Sequence, residues 1–254
     1  MSKRIALTTI VIREVLRFVR IWPQTLMPPV VVTSLYFVIF GNLIGSRIGR
    51  MDGFGYNEFI MPGLVMMAVI TNAYSNVVSS FYSSKFHRNI EEMLISPMPN
   101  YVILLGYVIG GVARGLMVGV LVMIVALFFT DLRVEHPWIT VTILLLTAAL
   151  FSVAGFINAI FAKSFDDISI VPTFVLAPLT YLGGVFYSID ILSPFWRQIS
   201  FGNPILYMVN GFRYGILGVS DIDILPAMAL ILFLLLLMFG VALRLLERGT
   251  GIRS

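Results

Sequence analysis

The chain has 254 residues, 59% hydrophobic and 12% charged, with a formal net charge of +4 and a mean hydropathy of +0.96. A soluble domain keeps about 25% charged residues to cover its surface, so this composition excludes one and leaves an all-α polytopic membrane protein. Cysteine is absent and the two histidines, His87 and His136, lie in different polar segments; a disulfide framework, a thiolate metal site and a cysteine nucleophile are excluded, and no metal centre is expected.

Residues 1–22 come first. The apolar run "IALTTIVI" is short and meets Arg13-Glu14 directly, so no cleavable signal is expected. At about 100° per residue, Arg13, Arg17 and Arg20 share one face, and Ile12, Val15, Val19 and Trp22 the opposite one. Such a helix either lies along the membrane surface or caps the bundle from the cytosol; both place it at the same interface.

Six segments then have the roughly 20 apolar residues a crossing needs: Thr25–Ile44, Phe59–Phe81, Val102–Phe129, Trp138–Phe161, Ile168–Val185 and Ile224–Leu245. Between the second and third lies residues 83–100, "SSKFHRNIEEMLISPMPN". Ile90, Met93 and Leu94 share a face beside Glu91 and Glu92 until Ser96-Pro97 and Pro99 end the helix. That helix either lies on the membrane or docks onto a cytoplasmic partner.

The third segment carries Arg114, in "IGGVARGLMVG". A mid-membrane arginine costs about 2.5–3.5 kcal/mol on insertion scales, so it must face protein or water. Gly111, Gly115 and Gly119 repeat every four residues and form a groove for a neighbouring backbone. Arg114 is either a packing residue, satisfied by carbonyls or by Asn72 or Asn158, or a cation lining a path for an anionic substrate. In the turn "AKSFDDIS", Asp167 is expected to cap the helix starting at Ile168 rather than to hold a metal.

Pro172 and Pro178 disturb the fifth segment and Gly183-Gly184 frees the backbone after it. Such breaks survive at membrane depth where protein or a water-filled cavity satisfies the released polar groups. Within residues 186–223, Ile189–Phe201 and Pro204–Leu217 read as two short helices separated by Gly202-Asn203-Pro204. They form either a re-entrant pair that dips into the outer leaflet and returns, or an outer interfacial loop.

Orientation follows from the lysine and arginine bias. With both termini on one side, that side holds Lys3, Arg4, Arg13, Arg17, Arg20, Lys85, Arg88, Lys163, Arg244, Arg248 and Arg253, against Arg47, Arg50, Arg133, Arg197 and Arg213 on the other. The bias puts both termini in the cytoplasm. Trp22, Trp138 and Trp196 fall near span ends, as interfacial anchors do. The charges flank apolar runs and form no broad patch, which fits membrane topology and not nucleic acid.

Residues 1–254 read as a single membrane domain. There is no phosphate-loop, H-E-x-x-H or G-x-S-x-G element, so no catalytic residue and no cofactor is expected. The span interiors carry no Asp or Glu, with Glu58 at an edge, so ion coupling has little support. The driving energy must come from elsewhere, or the protein does not pump; a secondary transporter and a non-transporting scaffold stay open as alternatives.

"PLTYLGGVFYSIDILSPFWRQISFGNPILYMVNGFRYG" resembles the signature region of ABC-2 type exporter permeases. The matching elements are Gly183-Gly184, Phe186-Tyr187, Leu192-Ser193-Pro194, Asn203-Pro204, Tyr207 and Gly211-Phe212-Arg213. "EEMLISPMP" is similar to that family's first intracellular coupling segment, and the surface helix, six crossings and internal termini extend the likeness over the whole chain. The resemblance implies a bacterial inner-membrane permease that pairs with a second copy of itself above two cytoplasmic ATP-binding subunits. It implies ATPase contacts at Glu91, Glu92, Met93, Leu94, Ser96 and Pro97, a second contact at the surface helix, and an outer gate after Val185. Arg114, Tyr181, Gly183, Gly184, Phe186, Tyr187, Asn203 and Pro204 are then the pathway and gate candidates. The family exports drugs, lipids and polysaccharides, and the compact outer side resembles its drug and polysaccharide branches. Tyr181, Phe186 and Tyr187 either offer ring faces to such cargo or pack.

Overall fold

The structure is a computed structural model describing residues 3–90, 93, 98–131 and 133–251, with the backbone alone at 42 and 46. Apart from a hairpin pairing Arg50–Met51 with Phe54–Gly55, its regular structure is helical. Five helices are long and apolar enough to cross a membrane: Trp22–Gly41, Tyr56–Phe86, Asn100–Ala126, Pro137–Phe161 and Ile224–Arg248. These are five of the six expected segments, here called the first, second, third, fourth and last spans.

The expected segment Ile168–Val185 is shorter. Its helix runs Asp167–Tyr181 as five α-helical residues, five π-helical residues at Pro172–Leu176 and five more α-helical residues. At about 1.5 Å per residue it falls short of the roughly 30 Å of hydrocarbon. Pro172 and Pro178 bring no N–H to the ladder and crowd the preceding turn, which accounts for the widened stretch. Asp167 does not cap from outside as expected. Its carboxylate accepts from the Lys163 and Ser164 amides at 2.8 and 3.1 Å, while Ser164 Oγ accepts from the Asp167 amide at 3.1 Å. This is a reciprocal box with Ser164 at its head. These bonds, the Lys163 amide foremost, hold the exposed carboxyl below its ordinary value.

The second span is the hub. In lipid, apolar contact alone gives helices little reason to associate, and close approach at small residues substitutes for it. A Cβ on Gly155 of the fourth span would lie 2.5 Å from the Tyr74 carbonyl oxygen, so backbone meets backbone there. Gly115 and Gly119 of the third span seat on Ala73 and Val69, at 3.0 and 2.8 Å by the same measure, and Gly111 meets Ser152 and Val77. The expected glycine groove is therefore the seat of the second span. By contrast, 11% of the apolar window of the last span is buried within the chain, against 78% for the second.

The surface helix Lys3–Arg20 carries apolar residues on both its buried and its exposed sides. Ala6, Ile10, Glu14 and Phe18 are buried, while Ile5, Ile12, Leu16 and Val19 are exposed. Glu14 is paired with Arg13 at 3.2 Å and Arg17 at 3.6 Å. Arg13 donates to Tyr107 Oη at 2.7 Å, and Arg17 donates to the carbonyl and Oδ1 of Asn76, both at 2.8 Å. Ala6, Ile10 and Phe18 seat the helix on the bundle, Arg13 and Arg17 staple it there, and a second apolar stripe faces outward. Glu14 is an enclosed carboxylate the sequence did not reveal, held by two arginines as an anchor.

Two sets of helix ends mark the opposite poles of the bundle. At one, Lys85 Nζ donates to the Ile160 and Ala162 carbonyls at 2.7 and 2.8 Å. Gly251, after the last span, packs on Ile160 there. At the other, the Glu135 and His136 amides bond the Ile216 and Gly215 carbonyls at 3.3 and 2.8 Å.

Candidate functional site

Two constellations gather the candidate residues. The first surrounds Arg114 in mid-span. Its Nη2 donates to Asn72 Oδ1 at 3.1 Å and, at 3.4 Å, to the carbonyl of Thr25 in the first turn of the first span. Asn72 was one of the two expected partners. Arg114 Nε is buried with no hydrogen-bond partner among the described residues. The guanidinium lines a cleft of about 270 Å³ whose walls include Thr33, Tyr36, Leu64 and Asn72. Gln24, Pro28, Val32 and Thr71 stand exposed at its open side. Packing and lining are thus compatible roles for this arginine.

Asn72 also begins a polar stripe. Asn72, Asn76, Ser80 and Ser84 recur every four residues on the second span and are all buried. Cations or their partners meet three of them: Arg114 at Asn72, Arg17 at Asn76, and Tyr107, itself bonded by Arg13, at Ser84.

The second constellation is built on residues 182–188, between the short helix and the helices Pro194–Phe201 and Pro204–Leu217. Gly184 has φ +72°, the left-handed region open to glycine. Its carbonyl accepts from Arg213 Nη2 at 2.6 Å. Arg213 is fully enclosed, lies 4.0 Å over the ring of Phe59, and donates through Nη1 to Asn210 Oδ1 at 3.3 Å. That Asn210 oxygen also accepts from the Asp221 amide at 3.1 Å. Asp221 in turn accepts from Ser188 Oγ and the Ile189 amide at 3.0 and 3.1 Å. Nearby, burial and the carboxylates of Asp221 and Asp190 push Asp52 above its usual value, against the pull of Arg213.

The charge count assigns Arg213 a side of the membrane and no environment; the structure buries it as the anchor of the turn. The neutral residues Gly184 and Asn210 supply its hydrogen bonds, a pairing that charge counting does not reveal.

Phe186 projects into an aromatic group with Phe40, Tyr36 and Tyr181 at centroid distances of 4.8, 5.7 and 6.1 Å. The Tyr36 and Tyr181 hydroxyls are 3.4 Å apart, and Tyr56 Oη donates to the Phe186 carbonyl at 3.0 Å. The two candidate aromatics Tyr181 and Phe186 therefore pack against the first span, while Tyr187 is half-buried outside this group.

Asn203 opens the helix Pro204–Leu217: its Oδ1 accepts from the Ile205 amide at 3.0 Å, and its Nδ2 donates to the Leu179 carbonyl at 2.6 Å. Gly183 lets the turn approach Ile205 closely. Tyr181, Gly183, Gly184, Phe186, Asn203 and Pro204 thus belong to one assembly, joined to the Arg114 cleft through Tyr36. The expected outer helix Ile189–Phe201 is split by Leu192-Ser193 into a 3₁₀ turn Ile189–Ile191 and a helix Pro194–Phe201.

Of the coupling candidates, Met93 is helical and half-buried against the bundle, next to buried Ile90. Glu91, Glu92, Leu94, Ser96 and Pro97 lie outside the described residues. No cluster of metal-ligating side chains occurs among the described residues.

The chain is 57% identical over 251 residues, 98% of both chains, to a protein of Escherichia coli strain K12 named inner membrane transport permease YadH. It is 22% identical to nodulation protein J of Neorhizobium galegae over 93% of this chain and 90% of that one. It is 23% identical to the nodulation protein J of Rhizobium leguminosarum bv. viciae over 84% and 83%. The profile of the ABC-2 type transporter family matches residues 5–217, spanning the surface helix, the Arg114 cleft and the whole 182–217 assembly. With more than half of its length matched, the chain belongs to the ABC-2 type transporter family.

Proposed function

We propose that the chain is the permease subunit of an ATP-driven exporter in the bacterial inner membrane, working as a pair above two separate ATP-binding subunits. The observation that carries this is the cleft around Arg114, walled by three of the chain's own spans and open on its remaining side. A charged group at membrane depth faces protein or water; a second copy laid over the open side encloses the guanidinium in a path between the two chains. The exposed apolar faces of the first and last spans suit such a pairing as well as lipid.

Six crossings fit the poles of the bundle. Ala162 is at the pole of Lys85, while Gly215 and Ile216, just before the last span, are at the opposite one. The chain passes between poles across residues 163–186, the short helix completing the passage through the turn after Tyr181. The helices Pro194–Phe201 and Pro204–Leu217 then form the re-entrant outer gate. With the lysine and arginine bias, both termini are cytoplasmic. Glu91, Glu92, Met93, Leu94, Ser96, Pro97 and the surface helix contact the ATPase, and the cargo is an amphipathic drug, lipid or polysaccharide. The relative's printed name, a transport permease of the inner membrane, agrees with this placement.

Mild-detergent purification of the tagged chain from its native cells tests the proposal. A stoichiometric companion carrying a phosphate-loop motif, whose hydrolysis rate changes on reconstitution with the chain, is the expected result. A lone homo-oligomer that moves solute down an imposed proton gradient overturns it.

Within that complex, Arg114→Leu is expected to cut ATP-dependent transport about tenfold or more, with insertion and ATPase co-purification unchanged; the lost charge contact accounts for that order of effect. Arg114→Lys keeps the charge but not the fork and falls between. Loss of folded Arg114→Leu protein reduces the arginine to a packing role.

A further inference from the structure

The surface helix borders a second cleft, of about 510 Å³, at the end of the second span near Ser83 and Ser84. Its volume is that of an ordinary ligand site. Arg13, Arg17 and Arg20 line it, with Glu14 as the acidic side chain among its described lining residues. Glu14 is already spent on Arg13 and Arg17, which bind it at 3.2 and 3.6 Å. Arg20 is exposed and makes no ion pair or hydrogen bond among the described residues. The cleft therefore keeps a surplus of positive charge, and Ser80, Ser83 and Asn89 add polar groups to its wall.

The mouth of the cleft is apolar. Leu16 and Ile21 line it and are 54% and 41% exposed, which makes the cleft continuous with the outward stripe of Ile5, Ile12 and Val19. A soluble anion has no use for such a rim. An amphiphile does, because its headgroup can meet the arginines while its chain lies along the stripe.

We infer that this cleft binds the phosphate headgroup of an anionic phospholipid of the leaflet in which the surface helix lies, with an acyl chain packed on Leu16 and the neighbouring apolar face. The inference rests on the reading that this face lies at a membrane surface; it does not depend on the ATPase or on the cargo. Basic side chains at that level are attracted to anionic lipid, and charge-assisted bonds to phosphate are the strong ones. The bound lipid braces the helix that Arg13 and Arg17 staple to the second and third spans.

Native mass spectrometry of the chain in mild detergent, titrated with phosphatidylglycerol, phosphatidylcholine or inorganic phosphate, tests it without any transport assay. The expected result is one tightly held phosphatidylglycerol per chain, weakened about tenfold or more in Arg13→Gln/Arg20→Gln by the loss of two surface cations. Arg20→Gln alone, which breaks no bond to the protein, shows part of that loss, and Arg13→Lys/Arg20→Lys restores most of it. Equal retention in the double glutamine variant overturns the site. Equal binding of phosphatidylcholine overturns its charge selectivity, and displacement of the lipid by low millimolar phosphate shows a free-anion site instead. Orientation is read separately: the chain has no cysteine, so a single Arg4→Cys labelled from the outside would move the helix to the other leaflet and leave the lipid result standing.

Discussion

Arg213→Leu is expected to lose about 3–5 kcal/mol of stability, the range for removing one partner of a buried charged network. Little or no folded protein should survive purification in mild detergent. Leucine refills the stem of the side chain but not the place of the guanidinium. The cause is what remains: the Gly184 carbonyl, bonded at 2.6 Å, loses its donor in a buried place, and Asn210 Oδ1, bonded at 3.3 Å, keeps only the Asp221 amide. The ring of Phe59 also loses the cation 4.0 Å above it.

Arg213→Lys keeps the charge and one donor but cannot serve both acceptors as a planar fork does, so an intermediate loss is expected. Asp221→Asn keeps an oxygen for the Ile189 amide and can turn its Nδ2 to Ser188 Oγ, which accepts as well as donates, so it should cost far less. Thermal unfolding of the three variants in one detergent orders them. Superimposable curves for Arg213→Leu and the wild type would remove Arg213 from the role of anchor.

That network also shows where sequence reading stops. Helix-forming apolar runs are local, and five of the six expected segments stand as helices of crossing length. Gly111, Gly115 and Gly119 announced their seat by spacing alone, because one face of one helix suffices to make a groove. Asn203-Pro204 announced a helix start for the same reason, and Asn203 is the observed cap.

Arg213 did not announce itself. Its partners sit 29 and 3 residues away and are neutral, so charge counting gives it a side of the membrane and no partner. Glu14 was equally hidden, since its burial comes from Gly110 of the third span and not from its own helix. The surface helix was legible as amphipathic, but which face meets protein depends on Tyr107 and Asn76, distant in sequence. Asp167 was placed one role away from its position because Ser164, three residues earlier, competes for the head of the same helix.

Gly63→Val is expected to force the 182–188 turn off the second span. A Cβ at Gly63 would stand 2.7 Å from both Cα and O of Val185, so the clash is with backbone and no rotamer relieves it. Overpacking of this kind typically costs about 1–3 kcal/mol. The second span is locked between the third and fourth by glycine contacts at Gly115, Gly119 and Gly155, which leaves the turn as the part that yields.

Moving the turn pulls the Gly184 carbonyl from Arg213 and withdraws Phe186 from Tyr36 and Phe40. The cysteine-free chain allows a direct reading. Val185 is fully buried, so Val185→Cys alone should resist a membrane-permeant maleimide, and Val185→Cys with Gly63→Val should label about tenfold or more faster. Gly111→Ala is the control, because its closest neighbours are the side chains of Ser152 and Val77 on other faces of the bundle. It should destabilise the third span without exposing the cysteine. Unchanged labelling in the Gly63→Val background would mean that the second span yields first and that the turn is not the movable element of the outer assembly.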